Sequence, residues 1–118
     1  MINGIGIDII ELNRIKNAVL RNERFIERIL TKREQARYHS FKQHHRKIEY
    51  LAGRFAAKEA FAKATGTGIG KLSFQHIEIV SNSSGAPTIY VEGYESKNIY
   101  ISISHSKEYA VAQIIITK

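Results

Sequence analysis

The stretch Gly53 to Ala64, GRFAAKEAFAKA, carries a carboxylate where a helix would put its core. At about 100° per residue, Ile48, Leu51, Ala52, Phe55 and Ala62 gather on one side of such a helix, and Glu59 projects near the middle of that apolar stripe. A buried, unpaired carboxylate is costly enough that it neutralises, pairs with a cation or binds a metal. Lys63, one turn later at i+4, offers a purely structural ion pair. The helix by itself leaves the pair and the ligand site both open.

A second carboxylate narrows the choice. Met1 to Ile10 reads MINGIGIDII, and strand alternation puts Ile5, Ile7 and Ile9 on one face and Gly4, Gly6 and Asp8 on the other. Glycine weakens a strand interior unless another backbone or a ligand approaches closely there, so Asp8 is expected beside an uncrowded groove. Asp8 and Glu59 together would form half a site for Mg²⁺, which takes a few carboxylates and completes its shell with water and substrate phosphate. Alternatively, Asp8 caps a helix whose first turn is Ile9 to Leu12.

With 118 residues, 43% of them hydrophobic, the chain is expected to form one domain over residues 1–118. Lys and Arg number 18 against 11 acids, giving +7 with neutral histidines, so an acidic partner or a polyphosphate ligand is favoured by long-range attraction. The absence of cysteine excludes disulfides, thiolate metal sites and a thiol nucleophile. No apolar run approaches the roughly 20 residues needed to span a bilayer, and the start lacks the pattern of a signal peptide. A cytoplasmic protein is expected.

Residues 11 to 30 carry Leu12, Ile15, Val19, Phe25, Ile26 and Ile29 at mostly helical intervals, with a break near Asn22. Arg14, Arg21 and Arg28 recur every seven residues, with Arg24 near the same line if the helix is continuous. That row is either the solvated side of an amphipathic helix or a face for an acidic surface. Thr31 and Glu34 form a T-x-x-E capping box for a short helix. The main helix is expected at 46 to 64, and Arg46 and Lys47 put positive charge at its start, where a bound anion would relieve the conflict with the helix dipole. His39, His44 and His45 have no acid or cysteine partners at ligand spacing and are expected at the surface.

Gly66 to Gly70, GTGIG, follows the helix and fits neither a dinucleotide nor a P-loop pattern, so it is expected to stop the helix and border a groove. Strand-like runs then fall near Ser73 to Val80, Thr88 to Val91, Ile99 to Ser104 and Tyr109 to Thr117, with turns at Ser81 to Gly85 and Ser106 to Glu108. Helices fill the first half and antiparallel hairpins the second, with one strand at the start, which makes the expected class α+β. His105 shares the parity of Ile99, Ile101 and Ile103 and stands between Ser104 and Ser106, giving a strand end rich in donors for an anion.

Three segments in order, GIGIDIIEL, EYLAGRFAAKEAFAKATGTGIG and SISHS with the strand after it, resemble the holo-acyl-carrier-protein synthases, the small bacterial class of 4′-phosphopantetheinyl transferases. The resemblance spans nearly the whole chain, and its most specific element is the pairing of G-I-D at 6 to 8 with K-E-A at 58 to 60. It implies transfer of 4′-phosphopantetheine from coenzyme A to a serine of apo-acyl carrier protein, with release of 3′,5′-ADP, in support of fatty acid biosynthesis. Mg²⁺ would be held by Asp8 and Glu59, with Lys63 and Lys58 adding positive charge and Glu59 the candidate base for the acceptor serine, directly or through water. The resemblance further implies a homotrimer with active sites between subunits. There His105 and Ser106 of one chain would face the metal site of its neighbour and, with Arg54 and Arg46, grip the adenosine end of coenzyme A. Arg14, Arg21, Arg24 and Arg28 would then receive the acidic carrier protein. A basic nucleic-acid-binding module is the rival reading of +7. It leaves Asp8 and Glu59 without a role, and neither nucleic acid nor membrane is expected as a partner.

Overall fold

The computed structural model describes residues 1–66 and 73–118. In chain order these form β1 (Ile2–Glu11), α1 (Leu12–Arg21), α2 (Arg24–Ile29), α3 (Lys32–Ser40), α4 (His44–Thr65), a 3₁₀ turn (Phe74–His76), β2 (Ile77–Ser81), β3 (Pro87–Val91), β4 (Asn98–His105) and β5 (Tyr109–Thr117). The expected α+β class holds. β1, β5 and β4 make one antiparallel sheet in that order, and β2 pairs with β3 separately.

The glycine face of β1 is what lets α4 lie on this sheet. A Cβ at Gly6 would land on the Ala60 carbonyl oxygen, and one at Gly4 on that of Ala64. The space that alternation left beside Asp8 is therefore taken by the backbone of α4. The buried residues of β5, Ala110, Ala112, Ile114 and Ile116, continue the packed surface. On the helix, Leu51, Ala52, Ala56, Ala57, Ala60 and Phe61 are fully covered. Each large apolar side chain removed from water in this way contributes about 1.5–3 kcal/mol.

The opposite face of the sheet is bare. Ile5, Ile7 and Ile9 are 58%, 57% and 63% exposed, with Tyr100 of β4 also exposed. In register, Ile5 lies opposite Ile115 and Ile9 opposite Val111, so the apolar surface runs across strands.

Local chemistry sets the element ends. Asp8 stands inside β1 opposite Ala112, and the strand runs on to Glu11, so Asp8 does not cap a helix. Asn22 Oδ1 accepts from the Arg24 amide at 3.0 Å at the expected break. The basic row is split there, with Arg14 and Arg21 on α1 and Arg24 and Arg28 on α2. The Thr31–Glu34 capping box opens α3 as expected. Gly66, at φ 75°, takes the left-handed position that ends α4, while residues 67–70 of the expected glycine loop lie outside the described residues. The run from Ser73 begins with the 3₁₀ turn, so its strand starts only at Ile77.

Candidate active site

Because Asp8 shares the parity of Gly4 and Gly6, it faces α4. Lys63 Nζ donates to Asp8 Oδ1 at 3.0 Å and to the Ile7 carbonyl at 3.1 Å. The expected i+4 pair between Glu59 and Lys63 does not form. Among the described residues the Glu59 carboxylate has no ion pair or hydrogen bond, although it is half-buried. Its pKa is raised, first by burial and then by the negative charge of Asp8, against the opposing charge of Lys63.

Glu59 is not the centre of a core stripe. With Phe55 and Lys63 it forms the less covered row of α4, whose other sides are buried against the sheet and the preceding helices. The stripe drawn from apolar residues was too narrow, because this helix is enclosed on more than one side. Asp8 and Glu59 thus put two hard oxygen donors together beside a lysine. Among the described residues no group of three or more His, Cys, Asp or Glu could hold a metal. That donor set fits Mg²⁺, which binds through one or two carboxylates and takes its other ligands from water and phosphate.

Lys58 belongs elsewhere. Its side chain is 0% exposed and its ammonium donates to Glu34 Oε1 at 2.6 Å, the Ile29 carbonyl at 2.7 Å and the Phe74 carbonyl at 3.1 Å. An ammonium has three donors and all are used, so the expectation that Lys58 adds charge at a ligand is corrected to a scaffold role. Burial lowers its pKa and Glu34 opposes that shift.

A second group lines an open cavity of about 720 Å³. Arg33, Arg37, Arg46, Arg54 and His105 meet there, and none of Asp8, Glu59 and Lys63 does. Arg54 is 8% exposed and stacks 4.2 Å from the Tyr50 ring centroid. Its Nη2 donates to the Ile79 carbonyl at 3.4 Å and to Ser81 Oγ at 3.3 Å, and its buried Nε has no partner among the described residues. Among the described residues this covered guanidinium makes no ion pair with a carboxylate, which suits it to an incoming anion. Ser106 does not reach this cavity. Its Oγ accepts from the amides of Glu108 and Tyr109 and shapes the turn between β4 and β5.

Arg14 and Arg21 line a separate groove of about 520 Å³ with Phe25 and Phe55, whereas Arg24 and Arg28 stand exposed on α2 outside it. The expected partner-binding row therefore divides into two groove arginines and two flanking ones. Sequence reasoning found Glu34 as the capping-box partner of Thr31 but missed that it also takes Lys58 and the Ile79 amide. It also missed Glu49, which meets His45, Arg46 and His105. Their helical neighbours were legible, but their long-range partners carry no local signal.

The family described as the 4′-phosphopantetheinyl transferase superfamily matches residues 4–114. A holo-[acyl-carrier-protein] synthase of Oceanobacillus iheyensis is 61% identical over 98% of this chain and 97% of its own length. One from Bacillus velezensis is 54% identical over 100% and 98%. The crystal structure of a holo-(acyl-carrier-protein) synthase from Bacillus anthracis in complex with coenzyme A (3′,5′-ADP) superposes with a TM-score of 0.90 at 50% identity, covering 98% of this chain and 96% of that one. Sequence, fold and the match across nearly all of both lengths agree, and the chain belongs to the holo-[acyl-carrier-protein] synthase family of 4′-phosphopantetheinyl transferases.

Proposed function

We propose that this enzyme, which transfers 4′-phosphopantetheine from coenzyme A to a serine of apo-acyl carrier protein, works around a Mg²⁺ site made by Asp8 and Glu59. The observation that carries the proposal is the placement of two carboxylates together beside Lys63, Asp8 held by that lysine and Glu59 half-buried with no hydrogen bond of its own among the described residues. Such a pair gains most from a divalent cation. When bound, that cation would neutralise the diphosphate of coenzyme A and the departing 3′,5′-ADP.

In the reaction the serine oxygen forms a bond to the β-phosphorus of the coenzyme A diphosphate, the bond from that phosphorus to the bridging oxygen breaks, and the serine proton leaves. Lys63 spends two donors on Asp8 and the Ile7 carbonyl, leaving its third for a phosphate oxygen. Glu59 is the candidate proton acceptor, directly or through a water. No side chain of this chain is needed as nucleophile, since the carrier brings the serine.

Arg46, Arg54 and His105 are proposed to grip the adenosine 3′-phosphate end of coenzyme A. They stand apart from Asp8 and Glu59 within one chain. The bare isoleucine face of the sheet is an apolar patch of the kind that marks a subunit interface. Both observations support a homotrimer in which His105 of one subunit completes the carboxylate site of the next. Arg14 and Arg21, with Arg24 and Arg28 beside them, are proposed to receive the acidic carrier. Among the described residues no helix is long and apolar enough to cross a membrane. The cytoplasm, as the compartment of a coenzyme A-dependent reaction on a carrier protein, is the location we propose.

Intact-mass analysis of apo-acyl carrier protein after incubation with the enzyme, coenzyme A and Mg²⁺ tests the reading. One added phosphopantetheine, abolished by a chelator, is expected. Transfer that survives exhaustive chelation would remove the metal from the scheme. Mixing inactive His105→Ala and Glu59→Gln chains is expected to restore activity, and a mixture as dead as its parents would contradict shared sites.

A further inference from the structure

The basic cavity contains an acid that its proposed use makes unwelcome. Glu49 Oε1 accepts from Arg46 Nη1 at 3.1 Å, and Glu49 Oε2 meets His45 Nε2 at 3.2 Å and His105 Nδ1 at 3.3 Å. Its side chain is 10% exposed. On charge alone, a carboxylate among Arg33, Arg37, Arg46 and Arg54 weakens the attraction for a phosphate. Both of its oxygens, however, are committed to groups that line the cavity, drawn from α4 and from the end of β4.

We propose that Glu49 is a positioning residue that presets Arg46 and His105 for the anionic end of the substrate. With Nδ1 of His105 engaged by Glu49, Nε2 is the ring nitrogen left for a ligand, and the ring is held in one orientation. Arg46 lies 5.2 Å from the Phe41 ring centroid, so its guanidinium is fixed by the carboxylate on one side and the ring on the other. A long, exposed side chain held in this way loses less conformational freedom when the ligand arrives. His45, on the turn before Glu49, shares the same oxygen and limits its swing.

The inference rests on the reading of this cavity as the site for the 3′-phosphate end of coenzyme A, and the two opposing effects of Glu49 give it a sign. If Glu49 only supplies negative charge, its removal tightens an anion. If it positions, removal weakens one.

The test is calorimetric titration of 3′,5′-ADP into the wild-type enzyme, Glu49→Ala and Glu49→Gln, with KM and kcat for coenzyme A measured alongside. Glu49→Ala is expected to weaken 3′,5′-ADP on the order of tenfold, the scale at which supporting partners act on their ligating groups. KM for coenzyme A should rise more than kcat falls, and KM for the carrier should stay unchanged. Glu49→Gln, which keeps the volume and one acceptor oxygen, should fall between. In a His105→Ala background the further loss from Glu49→Ala should be smaller than in the wild type, because the two act through one contact. Equal or tighter binding by both Glu49 variants, or fully multiplicative losses with His105→Ala, would overturn the inference. Failure of the wild-type enzyme itself to bind 3′,5′-ADP would instead overturn the assignment of the cavity.

Discussion

Two acid–lysine groups flank the same helix and have opposite characters. On one side of α4, Lys58 and Glu34 are 0% and 1% exposed, and the ammonium is saturated by three protein acceptors. On the other, Lys63 is exposed and meets Asp8, while Glu59 stands next to them with its pKa raised and no hydrogen bond among the described residues. The residue types are nearly the same. The difference is completion: a polar group that has every partner inside the protein holds the fold, and one that is left short has room for a ligand.

That contrast predicts different readouts for changes only one residue apart. Glu59→Gln should lower kcat/KM on the order of a thousandfold, since it removes the proposed Mg²⁺ ligand and proton acceptor, while leaving the melting temperature unchanged or raised. Lys58→Met should do the reverse. It leaves Glu34 buried without its cation, at a cost of about 4 kcal/mol measured by denaturant unfolding. Activity per folded molecule should persist. Gly6→Ala should cost about 3 kcal/mol, because its methyl overlaps the Ala60 carbonyl and forces α4 off the sheet. It should also lower activity by moving Glu59 relative to Asp8. The smallest effect belongs to the surface: Arg14→Glu with Arg21→Glu should raise KM for the carrier about tenfold, or 1.4 kcal/mol, and leave KM for coenzyme A unchanged. Equal changes in both constants would contradict a carrier-docking face. The effect should shrink with salt as exposed charges are screened.

Asp8 and Glu59 were legible in the sequence as faults in a pattern, a carboxylate after strand glycines and another within an apolar run. The family resemblance tied them together. The pattern erred on what surrounds them. Glu59 lies on the open row of α4, and the partner of Lys63 is Asp8, 55 residues away in sequence, which no helical spacing reports. Lys58 could have been separated from Glu59 at the start, since neighbours on a helix point about 100° apart and cannot both face one ligand. The capping box of Glu34 was visible, but its burial depends on Lys58, 24 residues on. Strand alternation set Ile5, Ile7 and Ile9 on one face without saying whether the domain or a neighbour covers it. Arg54 was chosen by resemblance; Tyr50, which covers it, lies one turn earlier on α4, while Ser81 reaches it from the end of β2.

Glu59 also links the site to stability. A carboxylic acid whose folded pKa is raised binds its proton more tightly in the native state, so stability falls as pH rises from the ordinary glutamate value to that of Glu59. The metal-free protein then carries that cost at neutral pH, and a cation bound as proposed by Asp8 and Glu59 would remove it. The decisive measurement is therefore the titration of the Glu59 side-chain carboxyl by carbon-13 NMR, without and with saturating Mg²⁺. A pKa above the ordinary glutamate value that drops on adding Mg²⁺, and that fails to respond to Mg²⁺ in Asp8→Asn, is the expected result. An ordinary pKa indifferent to Mg²⁺ would show that the two carboxylates do not form the metal site.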